Sequence, residues 1–366
     1  MYFTNITDGF GRKVQLNFES QLSRFGGLTA AVHLLRKNGF IKQLTDALEP
    51  TLPSTGQAGK VQHSATAILL QRLFGLIAGC EDLNDSSLLE ADPGFTTAFG
   101  KEHLASTATL CRFERKINQK TIDKGNEFLL DMWLRYGQNR RYVFLDVDNT
   151  PVELFGHQEN VKFNGHYGCN CYLPLLAFID GFPVGVFNGT QDGRKTMLEV
   201  FENMVDKIQK ARPNAIIVLR ADSGFNGKDL IDLCEKKGCY YLIGLSPNAV
   251  LKKRLELWEP EFVDVLRRSP QVGGLLLRHY GEMDDYQAAS WSGPRRVIVR
   301  DYFDDARQEW DCRFIQTNIP KADDGKCGKL CRLTSRELYE NVYCERSLAE
   351  QYNQEFKYQA MGARAG

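Results

Sequence analysis

The sequence predicts an α/β protein: a helical N-terminal region, then a core of alternating strands and helices that carries a β-rich insertion. Three observations predict it. Apolar residues recur at helical spacing through 28–48 and 63–77. From Tyr142 the pattern changes to short runs rich in β-branched and aromatic residues, the signature of strands. The alternation then breaks at 246–312, where Trp258, Trp291 and Trp310 sit among strand-like runs such as Arg296-Val297-Ile298-Val299-Arg300.

Residues 1–135 form the helical region. A short polar opening leads to a helical pattern from Leu28 to Leu48, and Thr51 to Gly59 reads as a loop because it carries Pro and Gly. His63 to Ile77 is a strongly apolar helix that Gly79 can end. Asp85 or Ser86 caps the next helix and Asp92-Pro93 closes it. Ser106 or Thr107 caps a further helix holding Arg112, Arg115, Lys116 and Lys120. Such a basic helix fits a DNA groove, and it equally fits a solvated face.

Residues 136–245 carry the order three strands, helix, strand, helix, strand. The strands are Tyr142–Asp148, Cys171–Ile179 and Phe182–Asn188, with Asp180-Gly181 as a hairpin turn. Thr196 to Lys210 is an amphipathic helix, Ala215 to Ala221 a buried strand, Lys228 to Lys237 a helix and Cys239 to Leu245 an apolar strand. That order is the one found in RNase H-like cores, though many α/β folds share parts of it. The last part, 313–366, returns through a strand at Phe314–Asn318 and a polar loop at 320–332. It ends in a long helix from about Ser335 to Gln359.

Composition sets the outer bounds. Hydrophobic residues make up 43% and charged residues 25% of 366, a globular composition for two or three domains. No apolar run spans a bilayer, and Met1 to Phe10 lacks the basic-then-apolar order of a secretory leader. A cytoplasmic protein with no membrane partner is the expectation. The 46 basic and 46 acidic residues cancel, so any nucleic-acid contact rests on local patches. Among ten cysteines, Cys169/Cys171 and Cys327/Cys331 are close pairs, and His166 lies near the first. Neither pair has the doubled C-x2-C spacing of a structural zinc site, so reduced thiols and no disulfides are expected.

Acidic residues stand where metal-assisted phosphoryl chemistry needs them. Two divalent ions about 4 Å apart can activate a nucleophile and stabilise the leaving oxygen of a phosphodiester. Magnesium takes hard oxygen ligands, so three carboxylates from different elements can hold such ions. Asp146 and Asp148 share a strand face inside an apolar strand, where an acid is costly unless paired or metal-bound. Asp222 ends another buried strand, in Ala221-Asp222-Ser223-Gly224-Phe225; it also fits a helix N-cap. The third acid is Glu350, in Tyr343-x2-Arg346-x3-Glu350-x6-Lys357. At roughly 100° per residue, these four positions fall within a sector of about 60°, one helix stripe with a carboxylate, two cations and a phenol. Arg and Lys on such a stripe suit phosphates.

The Y-x2-R-x3-E-x6-K string resembles the signature of a large group of bacterial insertion-sequence DDE transposases. Asp148-Asn149-Thr150 is similar to that group's first block and Asp222-Ser223-Gly224-Phe225 to its second. The nearest likeness is to insertion-sequence family thirteen-eighty. It is carried by Gly79-Cys80-Glu81-Asp82-Leu83-Asn84-Asp85, Asp92-Pro93, Leu104-Ala105-Ser106, Leu110-Cys111-Arg112-Phe113-Glu114 and Cys171-Tyr172-Leu173-Pro174-Leu175.

The resemblance implies an RNase H-like fold and a two-metal reaction. Such an enzyme cuts element ends and joins the 3′-hydroxyl to target DNA. Asp148, Asp222 and Glu350 would be the catalytic metal triad, with Asp146 a lesser candidate, since spacing alone does not separate it from Asp148. Tyr343, Arg346 and Lys357 would contact DNA phosphates, and Thr150 would support the first block. Mg2+ is the implied cofactor, with Mn2+ as a substitute. The implied partners are terminal inverted repeats and target DNA, and a second copy of the chain, with nucleoid association when DNA is bound. The first two acids are 222 − 148 = 74 residues apart and the last two 350 − 222 = 128 apart; the insertion fills the longer gap. In similar transposases that insertion touches transposon-end DNA, so its Trp residues could stack on an extruded base; core packing is the plainer role for each. His157 and His166 could act in acid–base chemistry and are left outside the site, because two-metal chemistry needs neither. Members of the family usually continue with further helices, whereas 366 − 357 = 9 residues follow Lys357 here. A truncated copy is therefore expected, with an inactive end-binding inhibitor of transposition as the alternative to an active enzyme.

Overall fold

The computed structural model describes residues 6–7, 13–14, 23–55, 62–80, 82–101, 103–154, 161–187, 193–256, 278–288, 291, 293–304 and 309–346. Two compact units divide the chain. The first takes Met1–Met132, Pro151–Leu173 and Asn353–Gly366, the second Trp133–Thr150 and Pro174–Tyr352. Residues 151–173 thus group with the helical region, a division that the sequence pattern did not suggest.

The first unit opens with a strand pair, β1 (Ile6–Thr7) and β2 (Lys13–Val14). Its helices are α1 (Gly26–Lys37), α2 (Phe40–Leu48), α3 (Ala65–Ile77), α4 (Ser86–Ala91), α5 (Pro93–Phe99), α6 (Thr107–Glu114) and α7 (Gln119–Tyr136), whose last turn belongs to the second unit. The single helical pattern at 28–48 is two helices, because Gly39 adopts φ +76° and breaks the run. The basic helix ends at Glu114, so Lys120 stands on α7. Ser64 caps α3, its side chain accepting from the Ala67 amide. Asp92 ends α4 and caps α5, accepting from the Gly94 and Phe95 amides. Val32, Phe74, Phe95 and Phe99 form the core of this unit. Gln71, 1% exposed, meets both backbone groups of Ala105 at 2.8 and 2.9 Å, so a buried amide is satisfied by the chain it packs against. A small sheet in the order β4-β6-β5 follows, from β4 (Val152–Glu153), β5 (Lys162–Asn164) and β6 (Cys169–Tyr172).

The second unit is a mixed sheet of eight strands among the described residues, in the order β11-β12-β13-β10-β9-β3-β7-β8. They are β3 (Tyr142–Asn149), β7 (Leu175–Ile179), β8 (Phe182–Phe187), β9 (Ile216–Ala221), β10 (Tyr240–Leu245), β11 (Arg278–Tyr286), β12 (Arg295–Asp304) and β13 (Glu309–Thr317). Helices α8 (Gly193–Ala211) and α9 (Lys228–Lys236) make the crossovers before β9 and β10, and β3, β9 and β10 run parallel. Asp180 (φ +51°) and Gly181 (φ +79°) form the two-residue turn between β7 and β8, the primed geometry that matches strand twist. Leu145, Val147, Leu219 and Ile243 are buried at the centre of this sheet.

Two expectations change here. The strand expected at Cys171–Ile179 is split between two sheets, with the break at Leu173-Pro174. Proline has no N–H to donate to a ladder. The insertion expected at 246–312 opens with α10 (Ala249–Glu256), and its described strands β11 and β12 continue the main sheet through β13. Trp291 is 7% exposed and packs edge-on against Tyr286 at 5.4 Å, with the Arg295 guanidinium 4.9 Å from its ring. It is a core aromatic. Trp258 lies outside the described residues. No helix among the described residues is long and apolar enough to cross a membrane.

Candidate active site

The parallel pair β3 and β9 positions the first two acids. Its register sets Asp146 against Arg220 and Val147 against Ala221. Asp148 and Asp222 each stand one step further, at the carboxyl ends of neighbouring strands. Side chains alternate along a strand, so Asp146, Asp148, Arg220 and Asp222 all belong to one sheet face. Asp148 and Asp222 are half-buried. Asp222 caps the turn Ser223–Phe225 and accepts from the Gly224 amide at 2.8 Å. The N-cap reading and the active-site reading of this residue are therefore compatible, because one oxygen makes the cap.

Asp146 has a different setting. It is 2% exposed, and both of its oxygens accept from Arg220, at 2.6 Å from Nε and 2.7 Å from Nη2. Burial raises its carboxyl above the ordinary range, and the Arg220 guanidinium and then Arg346 pull it back toward the charged form. A carboxylate held in this fork is committed to the guanidinium, so the metal role considered for Asp146 conflicts with its contacts. The same Arg220, 4% exposed, donates through Nη1 to the Val342 carbonyl at 2.6 Å, and its guanidinium lies 4.8 Å from the Phe144 ring.

Val342 lies in the helical run that closes this face. Ser335–Glu337 is α-helical, opened by a capping box on Thr334. Leu338–Tyr343 then forms a π turn and Cys344–Arg346 a 3-10 turn. The long regular helix expected from Ser335 is thus rewound within its first dozen residues, and the angular sector reckoned for an α-helix does not carry over. Leu338, Tyr339 and Val342 pack on Val218, Leu242 and Ile315, which fixes the run to the sheet. Tyr343 and Arg346 are adjacent, the guanidinium 5.6 Å from the ring centroid. Glu350 and Lys357, the other two residues of the expected stripe, lie outside the described residues, as does His157.

Two residues without an assigned role in the sequence shape this face. Arg220 is one. The signal for it was a repeated spacing, Asp146-x-Asp148 on one strand and Arg220-x-Asp222 on its neighbour. Gly244 of β10 is the other. A Cβ there would sit 2.7 Å from the Ser223 amide nitrogen and 3.1 Å from the Tyr343 hydroxyl. Its lack of a side chain lets the Asp222 turn and Tyr343 approach, a usual meaning of glycine inside a strand. Thr150 is buried, and its amide donates to the Pro174 carbonyl at 3.1 Å. His166 is exposed in the turn between β5 and β6.

Half-buried carboxylates at adjacent strand ends supply hard oxygen donors, which suits a magnesium-type ion. Asp148 and Asp222 fit that group.

Comparison with known proteins adds the family. One solved structure that resembles the chain is piggyBac transposase in a synaptic complex with hairpin DNA. The two share 9% identity at a TM-score of 0.42, over 86% of this chain and 64% of that one. The chain thus spans under two thirds of that transposase. None of the curated proteins matches it. The family described as transposase DDE domain group 1 matches residues 6–365, and the chain belongs to that family of DDE transposases.

Proposed function

We propose that the protein cleaves DNA at the ends of an insertion sequence and joins the freed 3′-hydroxyl to target DNA. One observation carries this reading: Asp148 and Asp222 end neighbouring parallel strands on the sheet face that the run bearing Tyr343 and Arg346 covers. The strand order β8-β7-β3-β9-β10, antiparallel and then parallel, supports an RNase H-like core. In this reading Asp148, Asp222 and Glu350 hold divalent ions, Mg2+ with Mn2+ as a substitute. Bound ions would lower the pKa of the attacking water or hydroxyl and stabilise charge on the leaving oxygen. The chain's own residues orient the DNA. Arg346 offers a planar fork to phosphate oxygens, and its contact with the Tyr343 ring limits the directions that fork can take. Lys357 adds a second cation. Membership of insertion-sequence family thirteen-eighty and a homodimer that holds two DNA ends belong to the same proposal.

Labelled DNA carrying the element's terminal repeats tests it. Metal-dependent cleavage at the repeat boundary is expected, with loss of about a thousandfold or more in Asp148→Asn, Asp222→Asn and Glu350→Gln, roughly 4 kcal/mol of barrier. Binding of the ends without product, in the unaltered protein, would sink the proposed reaction and leave an end-binding inhibitor.

A further inference from the structure

A second cluster of metal-type donors stands in the turn that joins β13 to the terminal helical run. Asp323, Cys327 and Cys331 bring one carboxylate oxygen and two sulfurs within 4.8 Å of one another. The spacing Asp323-x3-Cys327-x3-Cys331 sets a donor at every fourth residue. Neither thiol is in a disulfide, and Cys331 Sγ donates to the Gly328 carbonyl at 3.2 Å; Cys327 is 0% and Cys331 5% exposed, while Asp323 is exposed.

The turn is built to hold this arrangement. Gly325 (φ +77°) and Gly328 (φ +62°) bend the chain twice between the donors. At Gly328 a Cβ would also meet the Tyr142 hydroxyl at 2.5 Å. The Asp324 carboxylate accepts from the Lys326 and Cys327 amides at 2.8 and 2.7 Å and from the Tyr240 hydroxyl at 2.7 Å. The Lys329 amide donates to the Tyr142 hydroxyl at 2.6 Å. Asp323 itself accepts from the Gly325 amide at 2.9 Å and lies 3.5 Å from an Arg332 nitrogen. Packing alone explains two small apolar thiols in a core. The Gly325 amide and Arg332 hold a carboxylate at the same point, which adds a hard donor to the two sulfurs.

We propose that Asp323, Cys327 and Cys331 bind a zinc ion that fastens this turn, with water in the fourth position. Zinc accepts mixed sulfur and oxygen donors in tetrahedral geometry. Zinc–sulfur bonds of about 2.3 Å put tetrahedral donors somewhat under 4 Å apart, so the observed span closes by side-chain rotation. On binding, each thiol gives its proton to solvent and the two thiolates become ligands. The bound site carries +2 − 3 = −1, and Lys326, Lys329 and Arg332 stand in the same stretch to offset it. The site is separate from the Asp148–Asp222 face in its residues and in its chemistry, soft sulfur against hard oxygen. Its role is to lock the turn from which the Tyr343–Arg346 run departs.

The test uses the full chain, reduced and stripped with a chelator, and cobalt as the probe. One equivalent of Co2+ is expected to give a thiolate-to-cobalt charge-transfer absorption that Zn2+ abolishes by displacement. Asp148→Asn and Asp222→Asn should keep that absorption, and Cys327→Ser and Cys331→Ser should lose it. Asp323→Asn, on an exposed side chain, should leave folding intact by circular dichroism. It should weaken Zn2+ binding by more than the roughly 10–100-fold typical of an outer-shell change. No charge-transfer absorption in the unaltered protein would overturn the site. So would its persistence in either serine variant, or unchanged Zn2+ affinity in Asp323→Asn. The readout does not involve DNA, so failure here and failure of the proposed transposase reaction are distinguishable.

Discussion

Two buried aspartates, one in each unit, meet the cost of burial in different ways. In the helical unit Asp92 is 8% exposed and is held by four uncharged donors, two of them 68 and 69 residues away in sequence. The Ser23 hydroxyl reaches it at 2.6 Å, the Arg24 amide at 2.9 Å, and the Gly94 and Phe95 amides at 2.8 and 3.0 Å. In the sheet unit both oxygens of Asp146 accept from Arg220, whose third nitrogen holds the helical run at the Val342 carbonyl. One hydroxyl and three backbone amides hold the start of α5 and fasten it to the segment before α1. A guanidinium ties together two strands and a helix that are far apart in sequence. The first device serves the stability of the helical unit alone; the second couples stability to the geometry of the proposed site.

That contrast is open to test. The largest effect is expected at Arg220→Ala, which leaves a buried carboxylate unpaired at a cost of about 3–5 kcal/mol. Chemical denaturation measures it. The double variant Asp146→Leu/Arg220→Met should regain most of that stability and still cleave DNA poorly, because the tie to Val342 is gone. Full activity in the stable double variant would reduce Arg220 to a packing residue. Gly244→Ala comes next, at roughly 1–3 kcal/mol of overpacking. DNA cleavage should fall further than stability does, since the Ser223 amide and the Tyr343 hydroxyl must both move. Equal losses would count against a role for that close approach.

Asp92→Ala should cost about 2 kcal/mol, the upper range for a lost helix cap. Its pH signature separates the two aspartates. Burial would raise the Asp92 carboxyl, but the bonds from Ser23, Arg24, Phe95 and Gly94 outweigh it and hold the group below its ordinary value. Its contribution is present above the unfolded value of about 3.9 and is lost as pH falls through the lower folded value. Asp146 is shifted upward by burial, so its term has the opposite sign: it favours the folded state at low pH and is lost as pH rises through the folded value. Asp92→Ala should therefore flatten the acid limb of the stability profile, and Asp146→Asn should steepen it; identical profiles would remove the distinction. The smallest effect is expected at Arg254→Ala. Its partner Asp285 at 2.7 Å is 79% exposed, and such a pair contributes under about 1 kcal/mol.

The strands bearing Asp148 and Asp222 were legible because burial on both faces leaves continuous apolar runs, and an acid at the end of each stands out. The Asp180-Gly181 turn was legible because few residues accept positive φ. Pairing across the sheet was not. Nothing local in Arg278–Tyr286 or Arg295–Asp304 says whether those strands form a sheet of their own or lengthen an existing one, since that depends on which edge is free. The π turn over Leu338–Tyr343 left no trace in an apolar spacing that reads as an α-helix. Arg220 carried only the repeated spacing with Asp222 as a signal, and its pairing with Asp146 depends on β3 lying beside β9.

The bond from the Thr150 amide to the Pro174 carbonyl has a consequence for the stretch between them. It pins the exit and the return of the chain at one point, next to Asp148. Whatever lies between those two residues is closed off as a loop of fixed span, and loop closure depends only weakly on length, about 0.6 kcal/mol for each doubling. A change in the length of residues 151–173 therefore adds little closure cost at the neck, and the bond that holds the neck stays beside the acid.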